Sequence, residues 1–201
     1  MKIRYENMGT PIPQKQALSL GDYTKIYTLP NGMVKREDSF DGHKLLTVNY
    51  YKEEESNEEI RALLSPLNVS FGIRTIEEYG PYRVVHDDSY VENILKYKYN
   101  ILWLANNKVI CFEEINIETN LPLYDRTSKY LGHYEDESST GYCKFHYNVD
   151  GSLNFCEYDY LHDYDSDEFD LKTIHLLKDK FVLSEDLYNY YLTAKLLPDL
   201  D

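Results

Sequence analysis

Nothing in this chain is apolar for long enough to span a bilayer, and its opening, MKIRYENMGTPIPQKQ, lacks the apolar run of a secretion signal. Both absences point to a cytoplasmic setting. Cysteine is scarce: Cys111, Cys143 and Cys156 are the only three. An odd number without regular spacing is no disulfide framework, and no CxxC pair offers zinc ligands. Cations are short as well, with 21 Lys and Arg against 35 Asp and Glu, for a net charge of −14. That balance repels nucleic-acid backbones and anionic membranes, so direct contact with either is not expected. No H-E-x-x-H, GxSxG, P-loop or GxGxxG pattern occurs, which lowers the expectation of an enzyme and gives no reason to expect a cofactor or a metal.

What is abundant is tyrosine, at 21 of 201 residues, against 7 Phe and 1 Trp. Tyrosine favours strands, and its polar tip makes it a common interface residue. Hydrophobic residues make up 42% of the chain, enough for a core. The acid is unevenly spread: residues 151–201 carry twelve Asp and Glu against four Lys. The densest window is Cys156 to Asp170, CEYDYLHDYDSDEFD, where tyrosines interleave with carboxylates around His162.

Residues 1–22 read as a lead-in, with Pro11 and Pro13 arguing against regular pairing, and residues 23–201 as one domain. Asn31-Gly32 predicts a type I′ hairpin that sets Leu29 opposite Val34, Lys25 opposite Asp38 and Tyr23 opposite Phe40. Asp41-Gly42 offers a second turn, into His43–Tyr51. Ser56-Asn57-Glu58-Glu59 is a capping box, followed by Ile60, Leu63 and Leu64 at helical spacing up to Pro66. Ser89-Tyr90-Val91-Glu92 has the same form and predicts a second helix through Ile94 and Leu95. Residues 99–105 and 108–117 read as a hairpin with two apolar faces at the middle of the core. Glu135 to Thr140 reads as a polar loop. Asp150-Gly151 predicts a hairpin with Lys144 opposite Glu157, Phe145 opposite Cys156 and Cys143 opposite Tyr158. Cys143, Phe145, Tyr147, Cys156, Tyr158 and Tyr160 then share an apolar face, with both cysteines as buried thiols too far apart for a disulfide. Leu171–Phe181 fits strand or helix. Ser184 caps a last helix with Leu187, Tyr190, Tyr191, Ala194 and Leu197 along one side, ending at Pro198.

The stretch PNGMVKREDSFDGHKL resembles the hairpin repeats of MORN-type and related bacterial repeat proteins, although no fixed period recurs along the chain.

Asp163, Asp165 and Asp167 open like a calcium loop, but Glu168 stands where an EF-hand needs glycine, and Ile174 where it needs its bidentate glutamate. An EF-hand is therefore excluded, leaving a looser oxygen site as the metal reading. His86-Asp87-Asp88 reads as the acidic approach to the Ser89 helix rather than as a ligand set. The other histidines are scattered, and His146 falls on a polar strand face. Cys143 and Cys156, on a core face, are poor nucleophiles.

These readings converge on an α+β fold: mainly antiparallel hairpins, a few short helices and a helix at the C-terminus. The expected function is a non-enzymatic, acidic binding protein of the bacterial immunity or antitoxin kind. Its partner would be a basic protein such as a nuclease toxin, met by Asp163, Tyr164, Asp165, Asp167, Glu168 and Asp170. The alternatives are an acidic nucleic-acid mimic that occupies a DNA-binding or defence protein, and a metal-dependent enzyme using residues 162–170.

Overall fold

The structure, a computed structural model, describes residues 1–105, 108–132, 141–160, 166–169, 173–181 and 183–198. The fold is α+β and mostly antiparallel sheet, with short helices and a helical C-terminal region. It gathers into two compact units: Met1–Ile76 with His86–Lys98, and Glu77–Val85 with Tyr99–Asp201.

The first unit begins with β1 (Lys2–Asn7), β2 (Thr10–Ile12), a single helical turn α1 (Gln14–Ala17), β3 (Asp22–Thr28), β4 (Val34–Asp41) and β5 (Lys44–Tyr51). Helix α2 (Asn57–Leu64) follows, then β6 (Ser70–Tyr79), β7 (Tyr82–Val91) and β8 (Ile94–Leu104), strands that contribute residues to both units. The sheet order in this unit is β2-β1-β3-β4-β5-β6-β7-β8. The lead-in is thus paired, with Arg4 opposite Ile26 and Glu6 opposite Pro11. Pro11 is tolerated because β2 is an edge strand, where a missing N–H breaks no ladder.

The β3–β4 register holds Tyr23 opposite Phe40 and Lys25 opposite Asp38, and the Tyr23 and Phe40 rings stack at 4.8 Å. It shifts near the turn, so that Val34 meets Thr28 rather than Leu29. The Gly32 N–H donates to the Leu29 carbonyl, and Gly32 alone is left-handed, at φ +92°. That is a type I turn closed by a glycine bulge; Pro30 supplies its first corner, a position where type I′ needs positive φ.

Strands β5 and β6 are parallel, and α2 makes the crossover between them. The Ser56 hydroxyl accepts from the Glu59 N–H, and the Glu59 carboxylate accepts from the Ser56 N–H at 2.8 Å. Ile60 and Leu64 bury completely against Val48, Phe71, Ile73 and Tyr90, each contributing about 2 kcal/mol. Leu63 turns outward, at 55% exposure.

No helix forms at Ser89. Strand β7 runs through Val91, and Glu92 and Asn93, both left-handed at φ +52° and +60°, turn it into β8. Two successive positive φ values define a type I′ hairpin, so the S-x-x-E pattern here is a coincidence inside a strand.

The second unit adds β9 (Val109–Ile115), β10 (Pro122–Gly132), β11 (Gly141–Tyr147), β12 (Leu153–Tyr160), β13 (Ser166–Phe169), α3 (His175–Lys180) and α4 (Glu185–Tyr191). Neighbouring strands run in the order β8-β9-β10-β11-β12-β13. All three expected β11–β12 pairs occur. The Gly151 turn repeats the Gly32 solution, with only the glycine left-handed, at φ +83°. Cys143, Phe145, Tyr147, Cys156 and Tyr158 are buried, and Phe145 stacks on Tyr191 at 4.6 Å. In the 99–117 hairpin Leu102 and Cys111 are fully buried and Ile110, on the other face, is buried as well, while Ile101, Trp103 and Phe112 are only half-buried. The 171–181 stretch contains α3, a helix. Ser184 caps α4, which ends at Tyr191, short of Pro198. Beyond it Thr193 bridges to Ser152, and the Ala194 N–H donates to the Gly151 carbonyl. The expected loop at 135–140 lies outside the described residues. No helix is long and apolar enough to cross a membrane among the described residues.

Candidate functional site

The acidic window divides at the end of β12. Glu157 lies opposite Lys144 on β11 and opposite Glu168 on β13, and His146 Nε2 approaches its carboxylate at 3.5 Å. Asp167 lies opposite Tyr158. Asp167 and Glu168 therefore belong to a short strand paired with β12. Asp163, Tyr164, Asp165 and Asp170, like His162, lie outside the described residues. Ile174 is buried in the core. His146 is half-buried and stacks on Phe155 at 4.4 Å. Among the described residues, no group of three or more His, Cys, Asp and Glu is arranged to hold a metal.

A second acidic concentration leads into α2. Glu53, Glu54, Glu58 and Glu59 are exposed. Glu55 turns inward onto Lys35, whose Nζ lies 2.5 Å from Glu55 Oε1, while Tyr50 donates to the same oxygen at 3.0 Å and the Glu53 N–H to the other at 2.9 Å. Burial pushes the Glu55 carboxyl upward. The donors from Lys35, the backbone and Tyr50 outweigh it and hold its pKa at about 2. Composition marks this run only as a charged connector, and nothing in it distinguishes the inward glutamate from the outward ones.

His86-Asp87-Asp88 is strand, and its members part. The Asp88 carboxylate accepts from Asn57 of α2 at 3.1 Å. Asp87 is buried; its Oδ2 accepts from Arg74 Nε at 2.6 Å and its Oδ1 from the Ser89 hydroxyl at 2.9 Å. Gly72 makes room for it: a Cβ there would lie 2.9 Å from Asp87 Oδ1 and 3.2 Å from Asn49 Oδ1. Arg74 also donates to the Tyr51 hydroxyl at 3.3 Å, and Tyr51 in turn donates to Glu37 at 3.1 Å. The result is a closed ionic network, already satisfied by its own members.

A cleft of about 400 Å³ opens beside the β7–β8 turn, lined by Ser65, Asn68, Ser70, Phe71, Glu92 and Asn93 among others. Its one carboxylate, amides and hydroxyls beside Phe71 suit a small polar or cationic group.

No protein-family model matches the chain, and no curated protein and no solved structure matches it either.

Proposed function

We propose that the protein is a non-enzymatic acidic binding protein of the bacterial immunity or antitoxin kind, acting in the cytoplasm on a basic protein such as a nuclease toxin. The observation that carries this reading is where the charge resides. The ionic groups taken inside largely cancel: Asp38 holds Arg36, Asp87 holds Arg74, and Lys35 is held by Glu55 and Glu53. Among the described residues Glu53, Glu54, Glu58 and Glu59 are exposed, and a net charge of −14 attracts a cationic partner and speeds its encounter. Asp163, Asp165, Asp167, Glu168 and Asp170, with Tyr164 as aromatic anchor, form the proposed contact.

The test is affinity capture from the native host at low and high salt, followed by calorimetry against the purified captured protein. Changing the five acids to Asn or Gln is expected to weaken binding at least tenfold. Changing Glu54 and Glu58 to Gln serves as the control surface. Recovery of no basic protein, together with no protection against a toxin encoded beside the gene, overturns the reading. Capture of a DNA-binding protein whose DNA competes for the same face would favour the nucleic-acid mimic instead.

A further inference from the structure

The cleft beside the β7–β8 turn is built from two stretches of the first unit. One is the end of α2, where a 3-10 turn over Ser65–Leu67 closes on Asn68, left-handed at φ +53°. The other is the tip of the β7–β8 hairpin, at Glu92 and Asn93. Arg61 of α2 ties the two together, donating to the Asn93 side chain at 3.3 Å and to the Asn93 carbonyl at 3.2 Å. The same guanidinium lies over the Tyr90 ring, 5.2 Å from its centre. The Ser65 hydroxyl donates to the Arg61 carbonyl at 2.5 Å, which leaves its oxygen to the cleft as an acceptor. Among the described residues the Glu92 carboxylate has neither an ion pair nor a side-chain hydrogen bond.

A glutamate is poorly suited to that corner. Both corners of a type I′ turn are left-handed, a conformation that glycine and asparagine adopt most readily. Asn68 and Asn93 follow the rule, and Glu92, at φ +52°, breaks it. A turn that gives up stability to hold a carboxylate beside a cleft points to a demand on that carboxylate other than folding. We infer that the cleft binds a cation on a short aliphatic stem, an alkylammonium or alkylguanidinium group, with Glu92 as its counter-ion. Glu92 and Ser65 offer only acceptors, so the ligand must donate. Val69, Phe71 and Val91 supply apolar surface for the stem, and Val91 is 37% exposed. Arg61 does not reverse the sign of the site: it is engaged by Asn93 and by the Tyr90 ring, where the Asp88 carboxylate acts against it. A volume of about 400 Å³ is that of a small-molecule pocket. The site uses no residue of the proposed contact at 163–170, and its test stands apart from that reading.

The test is a proton–nitrogen NMR titration of the whole chain with butylamine, diaminobutane and N-acetylarginine methylamide. Saturable shifts are expected at the amides of Asn68, Ser70, Glu92 and Asn93, with a Kd of roughly 0.1–10 mM, the range open to ligands of so few atoms. Butyramide and butyrate carry the same stem without the cation and should leave these amides unmoved. Glu92→Gln keeps the size of the side chain and removes its charge, and should weaken binding at least tenfold. Glu92→Asn should lose binding too, yet melt at a higher temperature than the unaltered protein. Glu54→Gln should bind as the unaltered protein does, which separates the cleft from the general negative field. Tighter binding of diaminobutane than of the arginine derivative identifies a free diamine or polyamine as the ligand, and the reverse order identifies a basic side chain of a protein partner. No saturable shift at tens of millimolar, equal shifts with butyramide, or binding that ignores Glu92→Gln overturns the inference.

Discussion

Gly72→Ala tests the Arg74–Asp87 network by filling the one space it needs. In an open strand position the change is favourable: glycine destabilises a strand by roughly 0.5–1 kcal/mol relative to alanine, and Gly72 is not among the left-handed residues. Here the new methyl would stand 2.9 Å from Asp87 Oδ1 and 3.2 Å from Asn49 Oδ1. The first distance is shorter than any ordinary carbon contact, so Asp87 must move. It is tied on both oxygens, to Ser89 at 2.9 Å and to Arg74 at 2.6 Å, and it is buried. Overpacking of this kind costs about 1–3 kcal/mol, and a weakened charge-assisted hydrogen bond adds about 1.5–3. After the gain in strand propensity, a net loss of roughly 1.5–5.5 kcal/mol is expected.

Urea unfolding followed by far-ultraviolet circular dichroism measures that loss, with hydrogen exchange at the Val48, Phe71 and Tyr90 amides to place it. The decisive arm is the double variant. Asp87→Ala alone is destabilising, since it strands the Arg74 guanidinium. In that background Gly72→Ala meets only Asn49 and should cost little or nothing. The two changes would then show a coupling of about 2 kcal/mol or more. A stabilised Gly72→Ala protein, or strict additivity in the cycle, refutes the account.

Glu55→Gln should remove stability at neutral pH by about 1 kcal/mol, a figure reduced because the side chain remains one-third exposed. The Glu55 pKa in the fold, about 2, lies below its ordinary 4.5, so its contribution is full above 4.5 and fades as pH falls towards 2. Melting curves of the two proteins should therefore converge in acid; a constant gap down to pH 2 would contradict the Lys35–Glu55 assignment. Glu92→Asn is expected to raise stability by roughly 0.5–1 kcal/mol, because asparagine tolerates the left-handed conformation that Glu92 adopts at φ +52°. A lowered melting temperature would speak against the type I′ turn.

Where local chemistry and long-range pattern agree, the fold is legible in the residues. The β11–β12 register follows from one turn signal because Phe145–Cys156 and Cys143–Tyr158 satisfy the same face on both strands. Two capping boxes of identical form part ways for the same reason. Ser56 opens onto Ile60 and Leu64, whose spacing turns both inward on one side of a helix. Ser89 stands inside a strand that buries Val84, Val85, Asp87 and Tyr90, and its glutamate serves as a turn residue. Four residues that can cap a helix do not create one when their neighbours gain more by pairing. The site is less legible, since composition locates the acids without saying which of them turn inward. Glu55 and Glu53 read alike until Lys35 and Tyr50 are brought beside them. Asp87 reads as the approach to a helix, because its burial depends on a glycine fifteen residues earlier in the chain.

Lys129 and Asp87 show two ways in which this chain buries a charge-bearing side chain. Asp87 is met by the guanidinium of an arginine, which keeps its proton at any pH the protein meets, and Gly72 leaves the space the carboxylate needs. Lys129 is met by two carbonyls and a ring, which solvate a cation without cancelling it. Glu113, a carboxylate that acts on it, is itself buried and engaged by Asn100 at 2.7 Å. An uncancelled charge in an apolar surround is the condition under which an amine sheds its proton near neutrality. The alternation Thr127, Lys129, Leu131 carries the sequence signal: in a strand of period two, the lysine occupies the same side as Thr127, which is also buried. Residue type argues for solvent and strand position argues for the core. Position prevails because the end of α4 supplies the acceptors that let a long amine be buried.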